Sequence, residues 1–300
     1  MANIKIEKAE KLGLCFGVRR AIRILTEAVS KYGQIETLGP VAHNRLLVEK
    51  LANLGVTPIS HLDEAQSGIV AITTHGTSPT VLAEISARHI RVIDTTCPMV
   101  RKAQHKAREL VEAGFDVIIY GDAEHSEVKG LLGWAGDRGM ATVDARRISR
   151  LKRLPPRLGI ISQTTQTKSA FINFVRQLVG AVGYKIEEIR LINTLCMVTQ
   201  SQQEAARRLA RKSQLVIVIG GSNSANSRHL VEICSPLAET HLVETVEDVD
   251  ASWLAGKRYV GITAGASTPD EAVEELLARL ESLQGSGCTE RGQPILENQR

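Results

Sequence analysis

Aromatic side chains are scarce: four Phe, four Tyr and two Trp make up 3% of 300 residues. Base-stacking platforms for single-stranded nucleic acid need such rings, so no nucleic-acid partner is expected. No apolar run is long enough to cross a bilayer. The opening MANIKIEKAEKLGLC alternates charged and apolar residues and has no signal-peptide core. No membrane partner and a cytoplasmic location are the expectation. Neither sign of charge dominates, because 37 cations against 33 anions leave +4. That weak field suits a small anionic substrate and does not demand DNA. No nucleotide fingerprint for a flavin or nicotinamide stands in the chain. Cysteines number five and none forms a Cys-x-x-Cys pair, so local zinc and thioredoxin signatures are absent. In a reducing compartment disulfides do not explain them.

The chain is instead rich in self-similarity. Cys15, Cys97 and Cys196 each open a helix-period segment: FGVRRAIRILTEAV, PMVRKAQHKARELVEAG and MVTQSQQEAARRLARK. Each segment leads to a short apolar strand, at Gln34–Leu38, Phe115–Tyr120 and Leu215–Ile219, and then to a polar turn, GPVAHN, GDAEHSE or GGSNSANS. From each cysteine it is 28 positions to His43, His125 and Ser224 respectively. A second helix, a strand and a short helical connection follow. A further apolar strand then runs into a hydroxyl-rich loop, within GIVAITTHGTSP, LGIISQTTQTKS and YVGITAGASTPD.

After a third helix, IRVIDTTCP and EIRLINTLC deliver the next cysteine. The third repeat has no such last strand, and the N-terminal strand is unassigned, so it is predicted to complete that repeat and close a ring. The fold expected is α/β: three pseudo-equivalent units with small parallel sheets, arranged as a trefoil around a central site. The units are 15–96, 97–195 and 196–283, the last completed by 1–14, with 284–300 a loose tail. Ligands bind beyond the carboxyl ends of such strands, and every motif above follows a strand end.

Three thiolates at equivalent places are expected to converge on a soft metal. In a four-iron cluster they leave one iron without a protein ligand, a Lewis-acid position. Zinc with three cysteines and a water is the competing metal. Cys234 reads as a core residue, and Cys288, in the tail, is given no role. His43, His125 and Ser224 are equivalent, and His75, Thr164 and Ser267 lie at or near equivalent places on the later loops. With Asn44 and Asn226, they put donors at helix N-termini, which is anion-site chemistry. Ser and Asn there also serve as helix caps, whereas His is a poor cap. The other five histidines read as surface or packing residues. Glu127 differs from its repeat partners Arg45 and Asn226. A carboxylate in an anionic pocket should be raised in pKa, a candidate proton donor.

Taken in order, GLCFGVRRAI, GPVAHN, THGTSP, DTTCPMV, HSEVKG, SQTTQT, NTLC, NSANS and TAGASTPD resemble the 4-hydroxy-3-methylbut-2-enyl diphosphate reductases, from Gly13 to about Leu283. The resemblance implies a 4Fe–4S cluster, one per chain, on Cys15, Cys97 and Cys196. It implies a diphosphate pocket of His43, His75, His125, Thr164, Ser224, Ala225, Asn226 and Ser267, with Ala225 offering only its backbone N–H. Thr164 would position the substrate hydroxyl and the acid, and Glu127 would supply protons. The substrate implied is a small allylic diphosphate reduced to isopentenyl and dimethylallyl diphosphate, with electrons from an external ferredoxin- or flavodoxin-type donor. The chain departs from the family pattern at Ala225 (commonly Ser), Ser222 (Lys), Ser126 (Pro), Ser201 and Gln202 (Asn and Arg) and Asp122 (His). Three readings compete with this one. Two are a paralogue with the same cluster acting on another allylic or hydroxylated anion, and a non-redox hydro-lyase. The third is a redox sensor, against which Glu127 beside Thr164 argues.

Overall fold

The computed structural model describes residues 4–286. Strand β1 (Lys5–Lys8) precedes the first unit: α1 (Phe16–Tyr32), β2 (Ile35–Leu38), α2 (Arg45–Asn53), β3 (Val56–Ile59), β4 (Ile69–Ile72), α3 (Pro79–Ala87) and β5 (Arg91–Asp94). The second unit runs α4 (Pro98–Glu112), β6 (Asp116–Tyr120), α5 (Ser126–Ala135), β7 (Gly139–Ala141), α6 (Ala145–Ser149), β8 (Arg157–Ser162), α7 (Lys168–Val182) and β9 (Glu188–Leu191). The third runs α8 (Met197–Ala210), β10 (Leu215–Ile219), α9 (Ala225–Cys234), β11 (Glu239–Val243), β12 (Tyr259–Ala264) and α10 (Asp270–Ser286). Helix α10 runs past the boundary expected at Leu283. The rest of the expected tail, with Cys288, lies outside the described residues.

Three four-stranded sheets result, ordered β3-β2-β4-β5, β7-β6-β8-β9 and β11-β10-β12-β1. Every pairing is parallel. The α/β architecture expected from the alternation of strands and helices is the one observed. β1 takes the place beside β12 that β5 and β9 take in their own sheets, in register from Lys5 with Tyr259 to Lys8 with Ile262. The N-terminal strand thus closes the third sheet across 254 positions of chain.

The sequence explains this packing. Inner parallel strands covered on both faces must be apolar throughout, and all five residues of β10 (LVIVI) are buried. Burial of each such side chain is worth roughly 1.5–3 kcal/mol. The helix after each cysteine buries one stripe at helical spacing. In α1 it is Val18, Ala21, Leu25 and Ala28, and in α4 it is Val100, Ala103, Ala107 and Leu110. The matching stripe of α8 is Thr199, Gln202, Ala206 and Leu209. Gln202 stands where its counterparts are alanines. Its amide donates to the carbonyl of Gly13 at 2.8 Å, which ties α8 to the segment that carries Cys15.

A candidate active site where three units meet

In each sheet the first and third strands of the unit are neighbours, while the connections leave in opposite directions. That is the topological switch point at which α/β sheets hold ligands. The polar turns after β2, β6 and β10 and the hydroxyl loops after β4, β8 and β12 open there. All three switch points face one pocket, lined by the three cysteines, the three turn and loop histidines, Glu127, Thr164 and the start of α9.

The cysteines arrive by a repeated device. Asp94 Oδ1 accepts the Thr96 N–H at 2.8 Å, and Asn193 Oδ1 accepts the Leu195 N–H at 3.0 Å. These side-chain turns bend the chain just before the second and third cysteines. Thr95 and Thr194 donate their hydroxyls to the last residues of the neighbouring strands, Ile72 and Ser162. Each cysteine N–H then donates to a loop carbonyl: Cys15 to Ala266 at 2.9 Å, Cys97 to Thr74 at 3.1 Å and Cys196 to Thr164 at 2.9 Å. This bonding fixes the true register of the loops. Thr74, Thr164 and Ala266 are equivalent, and His75, Thr165 and Ser267 follow them. Thr164 therefore sits one position before the place that aligns with His75 and Ser267.

Each cysteine occupies the N-cap position of its helix and makes no side-chain capping bond. All three thiols are free, as is Cys234, which is fully buried in the third unit's core. Burial raises the Cys15 and Cys97 thiols, and the neighbouring cysteines add to it. Gly17 shows how closely they gather. A Cβ on Gly17 would lie 2.7 Å from Cys97 Sγ and 3.8 Å from Cys15 Sγ. Thiols from three separate units, partly buried and without anionic or basic side-chain partners among the described residues, are a donor set for a soft cationic group.

Above them lie the imidazoles. The rings of His43 and His75 are 4.6 Å apart, His43 and His125 5.1 Å, and His75 and His125 5.5 Å. One ring nitrogen of each falls within 4.8 Å of the others, so the trio could also grip a metal ion. Burial holds all three below the ordinary 6.5. For His43, Arg228 adds to the effect, and for His75 its two histidine neighbours do. For His125 the value falls to about 4. They are neutral at pH 7.

Contrary to the expectation that histidine caps helices poorly, His125 caps α5, with its Nδ1 accepting the Glu127 N–H at 3.1 Å. That bond assigns the proton of the neutral ring to Nε2. Ser126 reaches back to His43 Nε2 at 3.4 Å and links the second unit to the first.

The capping residues separate from the rest. Asn44 caps α2 through the Leu47 N–H, and Ser224 caps α9 through the Ser227 N–H. Asn226 is different. It is buried, it lines the pocket, and neither its Oδ1 nor its Nδ2 has a partner among the described residues. A buried amide left unpaired costs about 1–3 kcal/mol, which marks a side chain held ready for a ligand. Ala225 and Ser267 are also buried at the pocket wall.

Glu127, 2% exposed, accepts the Thr164 N–H at 2.6 Å and the Thr164 hydroxyl at 2.9 Å. Burial pushes its carboxyl up to about 7, against the lowering effect of the two Thr164 hydrogen bonds. Sequence reasoning missed Gly17, Thr74, Thr165 and Ala266, all at the pocket. No fixed spacing leads to the last three: the equivalent Thr74, Thr164 and Ala266 stand 59, 67 and 70 positions after their cysteines.

Fold and site together define a class: a three-unit α/β protein whose pseudo-threefold centre joins three thiols to an imidazole-lined, acid-bearing pocket. The family model described as LytB protein matches residues 6–281. A relative from Dehalococcoides mccartyi (strain CBDB1) is 42% identical over 280 residues, which cover 93% of this chain and 99% of the relative. One from Geobacter sulfurreducens is 38% identical, with 93% and 98% covered. Both are named 4-hydroxy-3-methylbut-2-enyl diphosphate reductase. A solved structure of (E)-4-hydroxy-3-methyl-but-2-enyl diphosphate reductase superposes with a TM-score of 0.68 at 35% identity, covering 94% of this chain and all of that one. The Plasmodium falciparum E-1-hydroxy-2-methyl-but-2-enyl-4-diphosphate reductase gives 0.86 at 26% identity, with 92% and 87% covered. The chain belongs to the LytB family.

Proposed function

We propose that this chain is the terminal reductase of the non-mevalonate isoprenoid pathway. It converts (E)-4-hydroxy-3-methylbut-2-enyl diphosphate to isopentenyl and dimethylallyl diphosphate with two electrons from an external donor, in a reducing cytoplasm. The observation that carries this reading is the meeting of three free thiols, three neutral imidazoles and one raised carboxyl in a single pocket. Cys15, Cys97 and Cys196 would hold a 4Fe–4S cluster. When bound, it supplies the electrons and a Lewis-acid iron without a protein ligand.

The rest is done by the chain. The Nε2–H of His125, with His43 and His75, donates to the diphosphate without carrying charge. Asn226, Ser224 and Ser267 add donors, and the backbone N–H groups of Ala225 and Asn226 at the start of α9 complete an anion cradle. A diphosphate seated there holds the allylic end over the thiols, which lowers the entropy cost of reaction. Protonated Glu127 gives its proton through the Thr164 hydroxyl, which turns its own toward the leaving oxygen. The balance is one allylic C–O bond broken, one C–H bond formed, two electrons and two protons consumed and one water released. The three histidines act here as donors and not as metal ligands, because Ser224, Asn226 and Ser267 around them are anion donors.

The test is anaerobic purification, iron and sulfide analysis, then turnover of the allylic diphosphate with reduced methyl viologen. About four irons per chain and water-releasing reduction are expected, and a cluster without turnover would refute the assignment. Ala225 gives a second test. Ala225→Ser adds a hydroxyl at the first residue of α9. One new bond to an anion is worth about 1.5 kcal/mol, so KM for the diphosphate should fall roughly tenfold with kcat little changed. An unchanged or higher KM would remove this residue from the cradle.

A further inference from the structure

The residue after each cysteine is apolar and exposed. Phe16 is 64% exposed, Met197 is 69% exposed, and Pro98 is exposed between them in chain order. Single exposed apolar residues need no explanation. Three at one repeat-equivalent position, around one centre, do. Gly17, Val18, Met99, Val100 and Thr199 just behind them turn into the pocket, whereas Phe16, Pro98 and Met197 line none of it. They form an apolar collar on the solvent side of the thiols.

Unpaired cations flank the collar on one side, whereas Arg19, beside Phe16, is paired with Asp270 of the third unit. A groove beside Pro98 and Thr96 carries Arg20, Arg101, Lys102 and Lys106. Arg101 is paired with Asp94, and Lys106 with Glu109. Among the described residues no carboxylate pairs with Arg20, which donates only to the carbonyl of Thr96, or with Lys102. The same stretch of α8 has Gln200, Ser201, Gln202 and Gln203. Two unpaired cations thus stand within five residues of Cys15 and Cys97, next to exposed apolar side chains.

We propose that this face, the collar of Phe16, Pro98 and Met197 with the cationic edge of Arg20 and Lys102, docks a small acidic one-electron carrier protein. The proposal rests on the reductase reading above, which requires an outside donor. Two docking events, each passing one electron from a reduced carrier, supply the pair that the C–O cleavage consumes. An apolar centre gives close approach, and a cationic edge steers an acidic partner and sets its orientation.

The experiment uses the cluster-loaded protein under argon with a plant-type [2Fe–2S] ferredoxin as probe. Titration calorimetry should show a Kd that weakens at least tenfold between low and moderate salt. The pair Lys102→Glu and Met197→Ser should weaken it at least tenfold at fixed salt and raise the KM for reduced ferredoxin equally. Turnover with reduced methyl viologen, which needs no docking surface, should stay within twofold. Arg153→Glu, a charge reversal on the second unit away from this face, should change none of these. The proposal is overturned by an unchanged Kd, by salt-insensitive binding, or by equal loss with both donors. Self-association that covers Phe16 and Met197 would also overturn it. If the unaltered protein fails to turn over with viologen, the reductase reading falls, and the ferredoxin titration still decides the docking face.

Discussion

Replacing Glu127 by Gln is expected to cut turnover by about 10²–10⁴, the usual worth of a positioned general acid, while making the protein more stable at pH 8. The two effects share one cause. Glu127 is buried and its carboxyl is raised to about 7 from an ordinary 4.5. A folded-state value above the unfolded one means that the native protein holds the proton more tightly. The stability this gives is complete below about pH 4.5 and is lost as pH rises through 7. Moving a carboxyl that far corresponds to ~3 kcal/mol. Glutamine stays neutral, can accept the Thr164 N–H that Glu127 Oε1 accepts, and can donate to the Thr164 hydroxyl. The variant should therefore keep at pH 8 what the parent loses. Urea midpoints at pH 5 and pH 8 measure it: the gap between the two pH values should shrink in the variant. In the parent, kcat/KM should fall as pH rises through about 7, because the acid must carry its proton. Turnover that survives the substitution would sink the assignment of the acid. A variant no more stable at pH 8 would mean that Glu127 is not held neutral by its site.

The sequence made the cysteines legible because a repeat turns one weak observation into three. A single thiol in a helix-opening position says little. Three, each 28 residues before the same kind of turn, must meet if the units close. The leftover strand at the N-terminus found its place for a similar reason: a four-strand pattern was short by one. The loop register was harder. Two threonines in SQTTQT offer the same chemistry at adjacent positions, and only the bond from the Cys196 N–H to the Thr164 carbonyl distinguishes them.

The capping role of His125 was hidden because propensity counts rank histidine low at that position, whereas a neutral imidazole nitrogen accepts an N–H well. That neutrality comes from burial by the other two units, which no local pattern carries. Asn226 reads from sequence as a donor at a helix N-terminus, in anion-site or capping use alike. Its unpaired amide becomes visible only when the pocket closes around it. Local chemistry was readable, and what escaped was whatever depended on a neighbour brought from another unit.

Gly17 is the sharpest case of such dependence, and Gly17→Ala should cost the protein its cluster without costing it the fold. In sequence, a glycine in the first turn of a helix is only a mild burden, worth about 1 kcal/mol against alanine. On that count the substitution would stabilise α1. In the structure the new methyl would stand 2.7 Å from the sulfur of Cys97 and 3.3 Å from its Cβ. The nearer atom is the end of a short side chain that can turn about χ1, so the main clash is relieved by moving the thiol, and the contact with Cβ needs a shift of only a few tenths of an ångström. A staggered side chain moves in large steps, so the sulfur would leave the point where Cys15 also reaches. Two thiolates cannot replace three at a site with one open metal position. Iron and sulfide per chain should drop at least fivefold after identical anaerobic reconstitution, with the cluster's visible absorption falling in parallel. The thermal midpoint of the cluster-free protein should stay within a few degrees of the parent, because a one-methyl change relieved by rotation is a small perturbation to a core. Full iron content in the variant would show that Cys97 is not confined to this one position. A collapse of the cluster-free midpoint would show that Gly17 serves packing first and the thiols second.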